Sequence, residues 1–216
     1  MDVWTHERLC GNDIAACLVK LRNPSEDAIQ ADVQQRMLAL GDTMHLIMVY
    51  DMDHCSAIES AVAMYMAALF SVSPGVPNIV ITGATAEHRI SFLDTINYYF
   101  ARTSKPEYVH DFLDRELREM RGPFGCAKAT EGAGLPRNGR GLSGSHIIIL
   151  DGSSLSEHDI IYHVKPLLNE RSSKLFILGE GGDMRPGSPF SELLSAKSLV
   201  TGLPLYNVAT IDTLGG

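Results

Sequence analysis

The sequence predicts an α/β fold, a doubly wound and mostly parallel sheet with helices on both faces. Three observations predict it. Short, almost wholly apolar runs recur: HLIMVY at 45–50, NIVIT at 78–82, HIIIL at 146–150 and KLFIL at 174–178. Runs of this kind suit strands buried on both faces. Stretches of helical composition lie between them, and such alternation implies parallel strands joined by right-handed crossovers. The chain has 216 residues, 45% of them hydrophobic and 20% charged, which is the composition of a globular domain with one sizeable core.

Residues 1–43 form an N-terminal segment ending in a helix. Ser25 is its expected N-cap, Glu26 and Asp27 suit the positive first turn, and Gly41 closes it. Residues 44–216 form the α/β part, the whole being one domain. After the 45–50 strand, Ser56 to Phe70 favours helix, with Met64 and Met66 as core packing, and SVSPGVP breaks it. A helix over 87–101 follows the second strand. Pro106 to Met120 reads as a charged helix, and its DFLDRELREMR stretch as a solvated face with i,i+4 pairs. Gly122 to Gly144 is Gly-rich and reads as a long loop. Within it, GPFGCAKAT nearly spells a phosphate-binding loop, but Ala127 replaces the second glycine and Ala129 the hydroxyl, so it too reads as loop. A helix is expected over 157–168 and a last strand over 205–211. His158 and His163, five apart, do not share an α-helical face and read as surface histidines.

The net charge is −8 and the pI near 5.4, which disfavours direct, non-specific binding to nucleic acid and favours protein partners. Cys10, Cys17, Cys55 and Cys126 include no CxxC pair. The segment MDVWTHERLC has no apolar h-region, and no apolar run reaches the ~18 residues of a membrane span. An intracellular setting is the default expectation, with no membrane partner.

Ligands of doubly wound sheets sit at the carboxyl ends of the strands. Those ends carry Asp51 and Asp53, Thr82 to Thr85, Asp151, and Glu180 to Asp183. The run from Arg140 to Leu168, RGLSGSHIIILDGSSLSEHDIIYHVKPLL, is followed by KLFILGEGGDMRPGSPFSELL. An apolar strand ending in Asp, then a helix, then a second apolar strand, is the layout of a Walker B segment and the strand after it.

On these residues the chain resembles, over roughly 44–211, the P-loop NTPase-like ATPase domain of terminase large subunits, the DNA-packaging motors of herpesviruses and tailed phages. Arg140-Gly141 matches a pair that often precedes that family's Walker B strand. Gly179 to Pro189 and the segment after Phe190 match its coupling turn and aromatic-bearing helix, and NIVITGATAEHRISFLDTI matches the strand after Walker A. Superfamily 1 helicases share this core, and their Gly-Asp motif is echoed by Gly179, Glu180, Asp183 and Pro186. The resemblance implies that Asp151 stands where magnesium would be held. The next residue, where a catalytic Glu belongs, is Gly152. Where Gly-Lys-Thr should follow HLIMVY, the chain has His54, Cys55 and Ser56, with no glycine or lysine to cradle phosphate and with Asp51 and Asp53 to repel it. The resemblance therefore implies a catalytically inactive, degenerate nucleotide site. No cofactor is expected, although ATP with magnesium is the ligand that the ancestry would bring. The chain would be a structural or regulatory subunit in a larger, viral assembly, located in the host nucleus or the virion.

A second reading rests on Asp51-Met52-Asp53, which resembles the DxD nucleophile motif of magnesium-dependent haloacid dehalogenase-like phosphatases. Asp51 would attack phosphorus, Thr82 would supply a hydroxyl, Lys165 a cation, and Glu180 with Asp183 the magnesium carboxylates. Cys55 departs from that pattern. No other residue set is assigned to a metal.

Overall fold

A computed structural model describes residues 14–25, 27–39, 45–72, 79–103, 113–114, 119–121, 126–129, 146–169, 174–181 and 186–211. The apolar runs are strands: β1 (His45–Tyr50), β2 (Ile79–Gly83), β6 (His146–Leu150) and β7 (Lys174–Glu180). They join β3 (Leu113–Asp114), β4 (Glu119–Arg121), β5 (Cys126–Ala129) and β8 (Val208–Ile211) in one sheet of order β3-β4-β5-β2-β6-β7-β1-β8. From β5 to β8 every pairing is parallel, and β3 and β4 add an antiparallel edge.

Side-chain alternation divides the core in two. Leu46, Met48 and Tyr50 of β1, Ile148 and Leu150 of β6, and Phe176 and Leu178 of β7 face one layer. Ile47, Val49, Ile147, Ile149, Leu175 and Ile177 face the other. Both faces are buried, so the strands read as unbroken apolar runs. The first layer holds α1 (Ile14–Leu21), α2 (Asp27–Ala39), α3 (Cys55–Val72) and α4 (Ala86–Thr103). Residues 61–69 of α3 are all buried, because α3 is enclosed by the sheet and the other three helices. A polar seam ties the helices together: Arg22 Nε donates to Gln34 Oε1 at 2.8 Å, and Gln34 Nε2 contacts Met64 Sδ at 3.3 Å. The second layer holds α5 (Glu157–Asp159), a π-helical turn (Ile160–Val164), α6 (Lys165–Asn169) and α7 (Pro189–Ser195).

The chain direction explains the two layers. From β1 it crosses by α3 to β2, three places along the sheet, while from β6 it crosses by α5 and α6 to β7 in the opposite sense. Right-handed crossovers in opposite senses put their helices on opposite faces. The doubly wound prediction therefore holds, and α1 and α2 pack into the same core as the sheet.

Three local expectations need correction. The 106–120 helix is not formed: Leu113–Asp114 and Glu119–Arg121 are strands. Likewise, part of the 122–144 loop is strand β5. Ala127 and Ala129 are buried and Lys128 exposed, a two-residue alternation hidden among glycines. Glu119 opposes Lys128 and Met120 opposes Ala127, so β4 covers an edge that β5 would otherwise leave open. The helix after Ser25 is described from Asp27, and Ser25 lies in a turn, its N–H donating to Asn23 Oδ1. Finally, His158 and His163 do come together, because the intervening π turn bonds the Lys165 N–H to the Ile160 carbonyl, five residues back.

The sequence reading also missed α1, and with it a cysteine: Cys17 on that helix is disulfide-bonded. The intracellular setting taken as the default is a reducing one, and it gains no support from this bond. Among the described residues no helix is long and apolar enough to cross a membrane.

Candidate functional site

The parallel strands bring the ends of β1, β2, β6 and β7 to one edge of the sheet. In register, Tyr50 lies beside Glu180 and Gly83 beside Leu150. At this edge chains from opposite layers diverge, and it is the edge at which ligands of doubly wound folds sit.

After β1 the chain makes one tight 3-10 turn (Met52–His54) and enters α3 at Cys55. The His54 N–H donates to the Asp51 carbonyl at 2.9 Å, so the turn uses an amide that a phosphate cradle would have to present. Asp51, Asp53 and Ser56 are exposed. Cys55 Sγ lies 3.6 Å from the Tyr50 hydroxyl and 3.6 Å from Glu59 Oε1. Burial pushes the Cys55 thiol up to about 11, with the Glu59 and Glu180 carboxylates adding to it and the Tyr50 hydroxyl opposing. At neutral pH it is a thiol, which is a poor nucleophile and metal ligand. Burial also raises Tyr50, helped by Cys55, Glu59 and Asp151.

Glu59 in turn holds His88 of α4, whose Nε2 lies 2.9 and 3.0 Å from its two carboxylate oxygens. That hydrogen bond raises the His88 pKa, burial opposes it, and the charges of Glu59 and Asp151 add to the rise. Cys55, Glu59 and His88 therefore form a linked polar cluster across α3 and α4, which the sequence did not announce because His88 lies on a separate helix from the other two.

After β6 the geometry is tighter. Asp151 takes a left-handed conformation (φ 54, ψ 55) and begins a second 3-10 turn, Gly152–Ser154. Ser153 Oγ donates to Asp151 Oδ1 at 2.8 Å, and the Ser154 N–H donates to the Asp151 carbonyl at 3.2 Å. Gly152 is buried. A Cβ there would lie 2.5 Å from Ile177 Cγ2 and 3.1 Å from Phe190 Cε2. Gly179 of β7 is covered by the same ring, with Phe190 Cε1 at 2.4 Å from where its Cβ would be. Phe190, on α7, thus seals the floor between the ends of β6 and β7.

The β2 end is equally close-fitted. Gly83 and Ala84 both have positive φ, 77 and 47. A Cβ on Gly83 would meet the Leu150 carbonyl oxygen at 2.1 Å. Arg89, buried, donates through Nη1 to the Gly83 and Ala84 carbonyls at 2.8 and 2.7 Å and so holds this turn. The sequence signal was present, a Gly after an apolar strand and an Arg one turn into the next helix.

The sequence-predicted residues separate into two groups. His54, Cys55, Ser56, Asp151 and Gly152 lie at or just beyond the ends of β1 and β6, with β7 between. The phosphatase set is dispersed. Thr82 is buried on β2, three strands from β1, ~14 Å at the usual strand spacing. Lys165 is exposed on α6, eight residues beyond Glu157, ~12 Å along the helix from the strand ends. Asp51, Asp53 and Glu180 are at the edge, and Asp183, like Arg140 and Gly141, lies outside the described residues.

No family model, curated protein or solved structure matches the chain.

Proposed function

We infer that this chain is a catalytically silent domain of the P-loop kind, related to terminase or helicase cores, which serves as a structural or regulatory subunit of a larger assembly, a viral one in the terminase reading. The observation that carries this reading is the seal at Gly152. The residue that should polarise water in an ATPase is a glycine whose side-chain space is filled by Ile177 and Phe190. The position is built into the core, so activity was not lost through a single exchangeable side chain.

Two further features support the reading. The turn after β1 has neither glycine nor lysine, and it presents Asp51 and Asp53 where phosphate would lie. Away from this edge, a hairpin closed by Lys197 and Pro204 carries Leu199 and Val200 fully exposed, with Leu203 and Leu205 also exposed. An apolar tip of this kind is a surface that a protein partner would cover.

The test is a thermal melt with and without magnesium and ATP, run beside an ATPase assay. Binding to the native state must raise the melting temperature by mass action. No shift and no phosphate release are expected. A magnesium-ATP shift that disappears in Asp151→Ala would mean that a nucleotide site works here, and the reading would be abandoned.

A further inference from the structure

The π turn between α5 and α6 has a consequence on the protein's other layer. His158, Asp159 and His163 each offer one ligand atom, and the three atoms lie within 4.8 Å of one another. Asp159 and His163 are four apart and are ordinary neighbours on a helix. His158 would point away from them on a regular α-helix. The extra residue of the π turn brings its ring to 5.7 Å from that of His163. Turns of this type recur at functional sites.

We propose that His158, Asp159 and His163 form a binding site for a first-row divalent transition-metal ion. The donor chemistry selects the ion class. Two imidazoles and one carboxylate suit zinc, nickel, copper or cobalt, whereas magnesium and calcium need mostly oxygen ligands. The parts are already in place. The Asp159 carboxylate is oriented by the capping box: Ser156 N–H and Oγ both donate to Oδ2, at 3.1 and 2.6 Å, and neither bonds Oδ1. Such bonding of a ligand carboxylate is the usual support of a metal site. One His163 nitrogen, Nδ1, is buried without a hydrogen-bond partner, so its ring is not committed to another group there. His158 is exposed and rests against Tyr162 at 4.7 Å between ring centroids, which leaves the outer side open to water ligands. Ligand distances of ~2.0–2.2 Å require the three atoms to draw together slightly, a movement that side-chain rotation on a surface helix permits.

The test uses the full chain freed of any histidine tag. Zinc is titrated calorimetrically at neutral pH, and cobalt by its visible absorption. One ion per chain is expected. Binding should be lost in His158→Ala and in His163→Ala and retained in Cys55→Ala, which removes the free thiol of the strand-end cluster. Zinc should raise the melting temperature of the parent and of Cys55→Ala but not of His158→Ala, a change at an exposed position that leaves the fold intact. Magnesium should produce no shift. No saturable zinc binding by the parent, or undiminished binding by the His158 and His163 variants, would overturn the assignment.

Discussion

Strands β1 and β6 have nearly the same plan. Each begins with histidine, runs through an apolar stretch, ends in aspartate and continues through one 3-10 turn into a helix: HLIMVYDMDH against HIIILDGSS. In both turns an N–H three residues on returns to the aspartate carbonyl, from His54 in one and Ser154 in the other. The surroundings differ. β1 has its turn in water, with Asp51 and Asp53 exposed. β6 has its turn pressed onto β7, with Gly152 under Phe190 and Asp151 held by Ser153. The same local pattern thus gives one replaceable turn and one that the core has fixed, and a nucleotide would be opposed differently at each: by charge at β1, by filled space at β6.

The largest expected effect is at the filled space. Gly152→Ala should destabilise the fold by about 1–3 kcal/mol, because its Cβ meets Ile177 and Phe190 and the neighbours must move. Gly152→Glu, which supplies the acid that the proposed ancestry would place there, adds a carboxylate with no buried partner and should cost more than ~3 kcal/mol without giving ATPase activity. Gly179→Ala meets the Phe190 ring closest, so its cost should fall when Phe190→Leu is made with it. Urea denaturation of the singles and the double measures this. Equal stability of Gly152→Ala and the parent would remove the distinction between the two strands.

The strand beginnings differ next. His146 is buried and stacked on Phe176, with ring centroids 6.1 Å apart. Burial, with Lys174 beside it, pushes its pKa down to about 4. The unfolded chain binds a proton there at its ordinary value of ~6.5, so between pH 6.5 and 4 the unfolded state holds more protons. The stability tied to a neutral His146 is complete above that window and is lost as pH falls through it, by about 3 kcal/mol at most. His146→Phe should flatten this part of the pH–stability curve. His45 is lowered by burial as well but is less enclosed, resting edge-on against Tyr206, so His45→Phe should change the curve less. The reverse ranking would show that the strand beginnings are not distinguished by burial.

The strands were legible because burial on both faces leaves no polar residue to interrupt the run. The need for a glycine at 152 was not legible, since the atoms that forbid a side chain come from β7 and from α7 far along the chain. The same holds for His88, which reaches Glu59 and, through it, Cys55 only by the packing of α3 on α4. Strands β3 to β5 were misread because short segments with charges at helical spacing carry little periodicity, and the open edge of β2 decided the outcome. The π turn was unreadable in IIYHV, where nothing differs from an ordinary amphipathic helix. In contrast, Ser156 and Asp159 spelled a capping box that could have been read.

The smallest effect separates the two aspartates themselves. Asp151→Ala loses the Ser153 hydrogen bond and leaves a residue with a Cβ but no polar group at φ 54, a conformation that costs about 1–2 kcal/mol for most residues. Asp151→Asn keeps an acceptor and tolerates that conformation, so it should recover most of the loss. Asp51→Ala, at an exposed position without such a bond, should stay within about 0.5 kcal/mol of the parent. The comparison is made from urea midpoints at unchanged slope. If Asp51→Ala and Asp151→Ala cost the same, Asp151 owes its conformation to something other than its turn, and a ligand at the end of β6 becomes the first place to look. If Asp151→Ala alone is costly and Asp151→Asn recovers it, the retained aspartate is explained by the turn it starts, and its place in a Walker-like segment needs no magnesium to account for it.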